Sequence, residues 1–111
     1  MLQIINPSRD PYFNMALEDY LVHSDIKEDL FVLWQNRPTV VVGRHQNSHA
    51  EINLPYVREK GIAVVRRLSG GGAVYHDEGN LNFTFITAAS GMKLDFAAFT
   101  VPVIEALHQL G

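Results

Sequence analysis

The sequence predicts an α+β domain, a mixed or antiparallel sheet with flanking helices, on three observations. Short β-rich runs fill the middle of the chain, helical periodicity marks stretches near both ends, and clusters of Gly, Pro, Asn and Asp separate the runs. A sheet with its helices on one side would bury the apolar faces economically.

Leu2–Ile5 is an apolar run ended by Asn6-Pro7-Ser8, which reads as a strand and then a loop. Asp10-Pro11 is a good N-cap and first-turn pair. Tyr12, Met15, Ala16 and Tyr20, joined by Leu17 and Leu21, supply the apolar face of a helix running to about Ser24. Residues 25–28 are polar. The β-rich runs 30–34 and 39–42 are separated by Gln35-Asn36-Arg37-Pro38, a turn-compatible tetrad, so the pattern predicts a hairpin. Asn53 can cap a short helix through Lys60, Gly61 closes it, and residues 62–65 follow as a buried strand. Residues 73–75 and 81–87 flank Asp77-Glu78-Gly79-Asn80, which predicts two antiparallel strands doubling back. In the second, Leu81, Phe83 and Phe85 alternate with Asn82 and Thr84, giving one core face and one polar face. After a Ser90-Gly91 turn, Phe96, Phe99, Val103, Leu107 and Leu110 recur at helical spacing. Pro102 fits only near the first turn of that helix, and Gly111 reads as its stop.

A length of 111 residues fits one small domain with one core, and no repeat, low-complexity stretch or linker divides it. Apolar residues make up 47% with charges interspersed, the composition of an ordinary globular protein. The longest apolar runs, residues 39–43 and 83–89, fall far short of the roughly 20 residues a membrane-spanning helix needs. Asn6, Ser8, Arg9 and Asp10 interrupt any signal-peptide core, so the expected location is cytoplasmic, without a membrane partner. The absence of cysteine excludes disulfides, thiolate metal sites and a cysteine nucleophile within these residues. A formal charge of −3 argues against nucleic-acid binding, yet Arg37, Arg44, Arg66 and Arg67 all lie beside turns or glycines. That distribution suits a small anionic ligand better than a duplex.

The informative stretch is residues 66–80, RRLSGGGAVYHDEGN, between two expected strands. Consecutive glycines allow positive φ and let a ligand approach the backbone, whose N–H groups can then bind anions. Ser69 and the arginines add a hydroxyl and fixed positive charge suited to a carboxylate, a phosphate or both. Three glycines alone also fit a mobile turn, and Arg66 and Arg67 a solvated strand end. Strand alternation aims the two arginines at opposite faces, so one of them addresses the ligand, and Arg67 is the choice. His76 serves equally as a structural hydrogen-bond partner or as an acid or base. His45 and His49 follow a strand and Gly43, which places them on a loop without a third ligand; no metal site is assigned. Glu18-Asp19 and Asp77-Glu78 read as solvated helix and turn positions.

Residues 66–80 closely resemble the signature of lipoate-protein ligases. Asn14-Met15-Ala16-Leu17-Glu18, Leu33-Trp34-Gln35-Asn36 and Val41-Val42-Gly43-Arg44-His45-Gln46-Asn47 support the resemblance in the family's order, over nearly the whole chain. The resemblance implies the fold of biotin and lipoate ligases, similar to the catalytic core of some aminoacyl-tRNA synthetases. It implies that Arg67, Ser69, Gly70, Gly71, Gly72 and Ala73 line the lipoyl-adenylate loop, that Asn80 faces the ligand, and that His76 supports the site. It also implies an apolar lipoyl channel formed by Trp34, Met15 and Leu17, with Arg44, Gln46 and Asn47 at the entrance. Trp34 fits a purely packing role equally well.

The implied reaction has two steps. Lipoate attacks the α-phosphate of ATP, with Mg2+ and basic groups stabilising charge, and gives lipoyl-AMP and pyrophosphate. A lysine of a lipoyl carrier domain, from 2-oxoacid dehydrogenase subunits or the glycine cleavage H protein, then takes the acyl group. The family's adenylate-contacting lysine would follow Gly111, and Lys27, Lys60 and Lys93 match nothing comparable. Residues 1–111 are therefore expected to be the N-terminal part of a single catalytic domain, inactive alone. An octanoyl- or lipoyl-transferase of the same superfamily and a noncatalytic lipoyl-ligand binding module remain open as alternatives.

Overall fold

The computed structural model describes residues 1–87 and 96–111, and side chains in the latter segment from residue 100 onward. The expected Ser90-Gly91 turn and the side chains of Phe96 and Phe99 lie outside the described residues. The element order is β1 (Leu2–Ile5), α1 (Pro11–His23), β2 (Leu30–Trp34), β3 (Thr39–Val42), α2 (Ser48–Glu51), α3 (Leu54–Lys60), β4 (Ala63–Arg66), β5 (Val74–His76), β6 (Asn82–Ile86) and α4 (Phe96–Leu110).

The α+β class is as expected, but the strands form two mixed three-stranded sheets, ordered β1-β2-β6 and β4-β3-β5. Each is built on a βαβ unit: β1 and β2 pair in parallel around α1, and β3 and β4 around α2 and α3. β6 then adds antiparallel to β2, and β5 antiparallel to β3. Neither expected hairpin therefore forms. Residues 35–38 carry the chain from the first sheet to the second, and residues 77–81 carry it back. A turn-compatible composition shows that a run ends there, without specifying which strand pairs next.

The local signals hold well. Asp10 Oδ1 accepts from Tyr12 N at 3.0 Å with Pro11 opening α1. Asn53 caps α3, and Gly61 ends it in the left-handed region at φ 65°. The buried side of α1 differs from the expected stripe. Tyr12 and Tyr20 are exposed and Ala16 faces solvent, whereas Asn14 and Leu21 are buried. Leu21, Leu30 and Val32 form the first core, with Ile4, Leu17, Ile26, Trp34 and Ile86 against it. Val41, Val42, Ala63 and Val65 bury the second sheet.

Two further expectations are overturned. Phe83 is 48% exposed and Leu81 more so, and Phe83 meets Phe85 edge-on and Phe31 at a tilt on the outer face of the first sheet. The nominally polar side is the inner one, because Thr84 receives the Trp34 indole N–H at 2.9 Å and is thereby satisfied. In α4, Pro102 lies well past the first turn, where it lacks an N–H to give, and Leu107 and Leu110 are exposed. Of the described members of that apolar spacing, Val103 is half-buried while these two are exposed.

Candidate functional site

The glycine loop joins β4 to β5 within the second sheet, and His76, at the end of β5, sits beside the crossover at residues 35–38. Arg67 leaves β4 with its backbone N–H still bonded to Val42 O at 3.0 Å, and its half-buried side chain turns back over the glycine loop. Nη2 donates to Gly70 O at 2.9 Å and to Gly72 O at 2.7 Å, and Nε and Nη1 reach Gly70 O and Val41 O. Gly71, at φ 101°, sits so close under the guanidinium that a Cβ would lie 2.8 Å from Nη2. Arg66 is not a free strand end. On the other face its Nη1 donates to the carbonyls of Gly43, Arg44 and Gln46 at 2.9, 3.2 and 2.7 Å. The two arginines therefore each staple one loop, as alternation requires. The loops also touch: Arg44 N donates to Ser69 O at 2.9 Å, and Gly43 admits the Gly71 carbonyl where any Cβ would collide with it.

Of the expected entrance residues, Gln46 Oε1 accepts from Gly43 N at 2.8 Å and Asn47 caps α2, so both shape the loop that Arg66 holds. His49 lies in α2 rather than on a loop. Ala73 is exposed, and Asn80 Nδ2 donates to Asn82 Oδ1 at 2.9 Å. Among the described residues no group of three or more His, Asp or Glu is placed to hold a metal ion. No helix of the described residues is long and apolar enough to cross a membrane.

His76 joins the glycine loop to the apolar side. Its ring meets Trp34 edge-on, with centroids 5.8 Å apart, and burial and then the Arg67 charge lower its pKa. Trp34 and Leu17 line a small cavity of about 10 Å³ with Asn6, Asn14, Glu18, Leu21, Val32, Thr84 and Ile86, room for roughly one water-sized sphere. Met15 is on the other side of α1, in an open groove of about 240 Å³ with Ala16, Glu18, Asp19, Arg66 and Leu68. Glu18 borders both spaces, and burial raises its pKa. It is not the solvated helix position its neighbour Asp19 is. The signal was present in the spacing, since Asn14, Leu17, Glu18 and Leu21 fall on one helical face.

Below these residues lies a buried polar cluster. Asn14 Nδ2 donates to Ser8 O, Gln35 O and Asn36 Oδ1 at 3.1, 2.8 and 2.8 Å, while Asn6 Nδ2 donates to Asn14 Oδ1 at 2.7 Å. Asn36, fully buried, reaches His76, and Gln35 Nε2 reaches Glu78 O at 2.9 Å, so the two inter-sheet connections are tied side by side.

Residues 10–111 match the model of the lipoyl protein ligase A/B catalytic domain. The chain belongs to that family. It is 54% identical to the lipoate-protein ligase LplJ of Bacillus subtilis over all of its own length and 34% of the relative's. It is also 54% identical to a mitochondrial lipoyl amidotransferase of Mus musculus, over 91% of the chain and 27% of the relative. Among solved structures, P. falciparum LipL1 in complex with lipoate superposes with a TM-score of 0.86 at 30% identity, over 97% of this chain and 35% of that one. Lipoate-protein ligase A bound with ATP superposes at 0.83 and 26% identity, over 100% and 48%. The chain thus spans about a third of the length of the curated family members it matches.

Proposed function

We propose that this chain supplies the acyl- and nucleotide-binding part of an ATP-dependent lipoate-protein ligase. The observation that carries the reading is a succession of neighbours: Trp34, which borders a small cavity with Leu17 and Glu18, meets the His76 ring, and His76 in turn feels the charge of Arg67 on the glycine loop. An apolar acid with one terminal carboxylate needs that sequence of surroundings: an oily wall, then a polar neighbour, then fixed positive charge. Family members solved with lipoate and with ATP support it.

In the proposed reaction the lipoate carboxylate forms an O–P bond to the α-phosphate of ATP and pyrophosphate leaves. The ε-amine of a carrier lysine then forms the amide, releasing AMP. Arg67, Ser69 and the backbone of residues 70–73 hold the anionic adenylate, with Asn80 facing it and Arg44, Gln46 and Asn47 shaping the entrance. Trp34 and Leu17 wall the acyl chain, with Met15 lining the groove behind α1. To meet an anion, Arg67 exchanges bonds to the Gly70 and Gly72 carbonyls for bonds to the ligand. Its partners are exposed loop groups that water can satisfy in its place. The described residues lack the acidic set that would hold Mg2+ by themselves, so no step is assigned to that ion. The proposed carriers are lipoyl domains of 2-oxoacid dehydrogenases and the glycine cleavage H protein, and the proposed location is cytoplasmic.

The test is lipoylation of an apo carrier domain by the full-length protein with free lipoate, followed by intact mass, with and without ATP. Product that requires ATP, with pyrophosphate released, is expected. The strong identity to an amidotransferase favours a second reading, transfer of a lipoyl group already attached to a protein. Product formed only from a lipoylated donor, without ATP, would establish that reading and eliminate the ligase.

A further inference from the structure

The buried asparagines form a chain whose direction is fixed at its start. Asn14 Nδ2 faces the backbone carbonyls of Ser8 and Gln35, which can only accept, so that atom must be the amide nitrogen. The same nitrogen faces Asn36, which must therefore present its oxygen to Asn14 and its nitrogen outward. At the other end, Ser8 N donates to Asn6 Oδ1, which leaves Asn6 Nδ2 to donate to Asn14 Oδ1. The orientation of each amide thus follows from main-chain groups that cannot reverse.

The outward nitrogen of Asn36 lies 3.3 Å from His76 Nδ1. A donor there requires a bare, accepting nitrogen, and an imidazole with bare Nδ1 carries its proton on Nε2. We propose that Asn36, held by Asn14 and Asn6, is a positioning residue that fixes His76 as the neutral Nε2–H tautomer, so that the histidine offers the ligand a hydrogen-bond donor and cannot act as its base. Two environmental effects act in the same direction. Burial disfavours the imidazolium, and the Arg67 guanidinium repels it. The tautomer assignment stands on the fold alone. The donor role rests on the acyl-adenylate reading above: a neutral N–H beside Arg67 serves a carboxylate or phosphate oxygen without competing for its own proton.

Long-range ¹H–¹⁵N correlation spectra of the full-length protein, labelled at histidine and assigned with His76→Gln, read the tautomer directly. A protonated Nε2 and an unprotonated Nδ1 are expected at pH 7; an Nδ1–H form or an imidazolium would overturn the proposal, whatever any variant does. Asn36→Asp keeps an oxygen toward Asn14 and puts a second acceptor where the donor was. His76 should then be protonated at Nδ1, with its pKa raised by about 1–3 units. A folded variant with an unchanged His76 spectrum would show that Asn36 does not set the tautomer. Finally, saturating lipoate should move the Nε2–H resonance. Bound lipoate that leaves it unmoved removes the donor role, whereas failure of lipoate to bind removes the ligand reading while the tautomer stands.

Discussion

The asparagine cluster and the arginine pair use the same device under opposite conditions. In both, side-chain donors hold main-chain carbonyls: Asn14 those of Ser8 and Gln35, Arg66 those of residues 43, 44 and 46, and Arg67 those of Val41, Gly70 and Gly72. Asn14 and Asn36 are buried and their partners partly buried, so water replaces these bonds less readily than it does at an exposed loop. The glycine loop is exposed, and its carbonyls can trade the guanidinium for solvent. One cluster should therefore register in folding free energy and the other in ligand handling. Substitutions that confuse the two categories would break the distinction.

The largest expected effect on folding is from Asn14→Ala. It strands two carbonyls, the Asn36 oxygen and the Asn6 amide, and at about 1–3 kcal/mol for an unsatisfied buried group the loss should reach about 3 kcal/mol or more. Urea unfolding of the full-length protein measures it. A loss below about 1 kcal/mol would mean that water enters the cluster and that the contrast with the loop is one of degree only.

Arg67→Ala should invert the pattern. Its folding cost is expected at about 1 kcal/mol or less, while adenylate formation should fall about 100-fold or more, the scale for losing a preorganised charge-stabilising donor. Pyrophosphate release under saturating lipoate and ATP provides the readout. Unchanged adenylation would remove Arg67 from the site and leave it a loop staple like Arg66.

The cluster also marks how far the sequence could be read. Caps, strand runs and the Arg67 loop were legible because their signals are local: Asp10-Pro11, Asn53 with Gly61, and RRLSGGG each act within a few residues. Strand partners were not, because residues 35–38 and 77–81 have hairpin composition yet cross between sheets. The contacts made at the crossovers come from far along the chain: Asn14 reaches Gln35 and Asn36 from 21 and 22 residues away, and Gln35 reaches Glu78 from 43. The apolar face of α1 was misplaced for the same reason. A buried asparagine looks like a solvent position until its partners are known, and Glu18, one turn further on, shares that partly buried face.

Gly43→Ala tests the seam between the two loops. The added methyl collides with the Gly71 carbonyl, and overpacking of this kind costs about 1–3 kcal/mol. Because the methyl pushes on the segment that Arg67 holds, lipoate affinity should weaken as well as stability. Titration calorimetry beside the unfolding curve separates these effects. A variant that loses stability but binds lipoate with unchanged affinity would show that loops 43–46 and 69–72 are independent.

The smallest effect expected is that of Glu18→Gln, and its pH dependence is more diagnostic than its size. Burial raises the folded-state pKa of Glu18 above the ordinary 4.5, so between the two values the folded protein keeps a proton that the unfolded chain has released. Stability from this group is present below about 4.5 and is lost as pH rises through the folded pKa. Glutamine cannot ionise, so the variant should match the wild type in acid and become progressively more stable than it towards neutrality. His76 works in the opposite sense: its folded pKa lies below 6.5, so its contribution is full above that value and is lost as pH falls through the window beneath it. Subtracting the Glu18→Gln curve from the wild-type curve between pH 4 and 8 cancels the His76 contribution, which both proteins share, and leaves the carboxyl alone. A flat difference would place the Glu18 carboxyl in water, on the solvent side of α1 with Asp19, and detach it from the cavity beside Trp34.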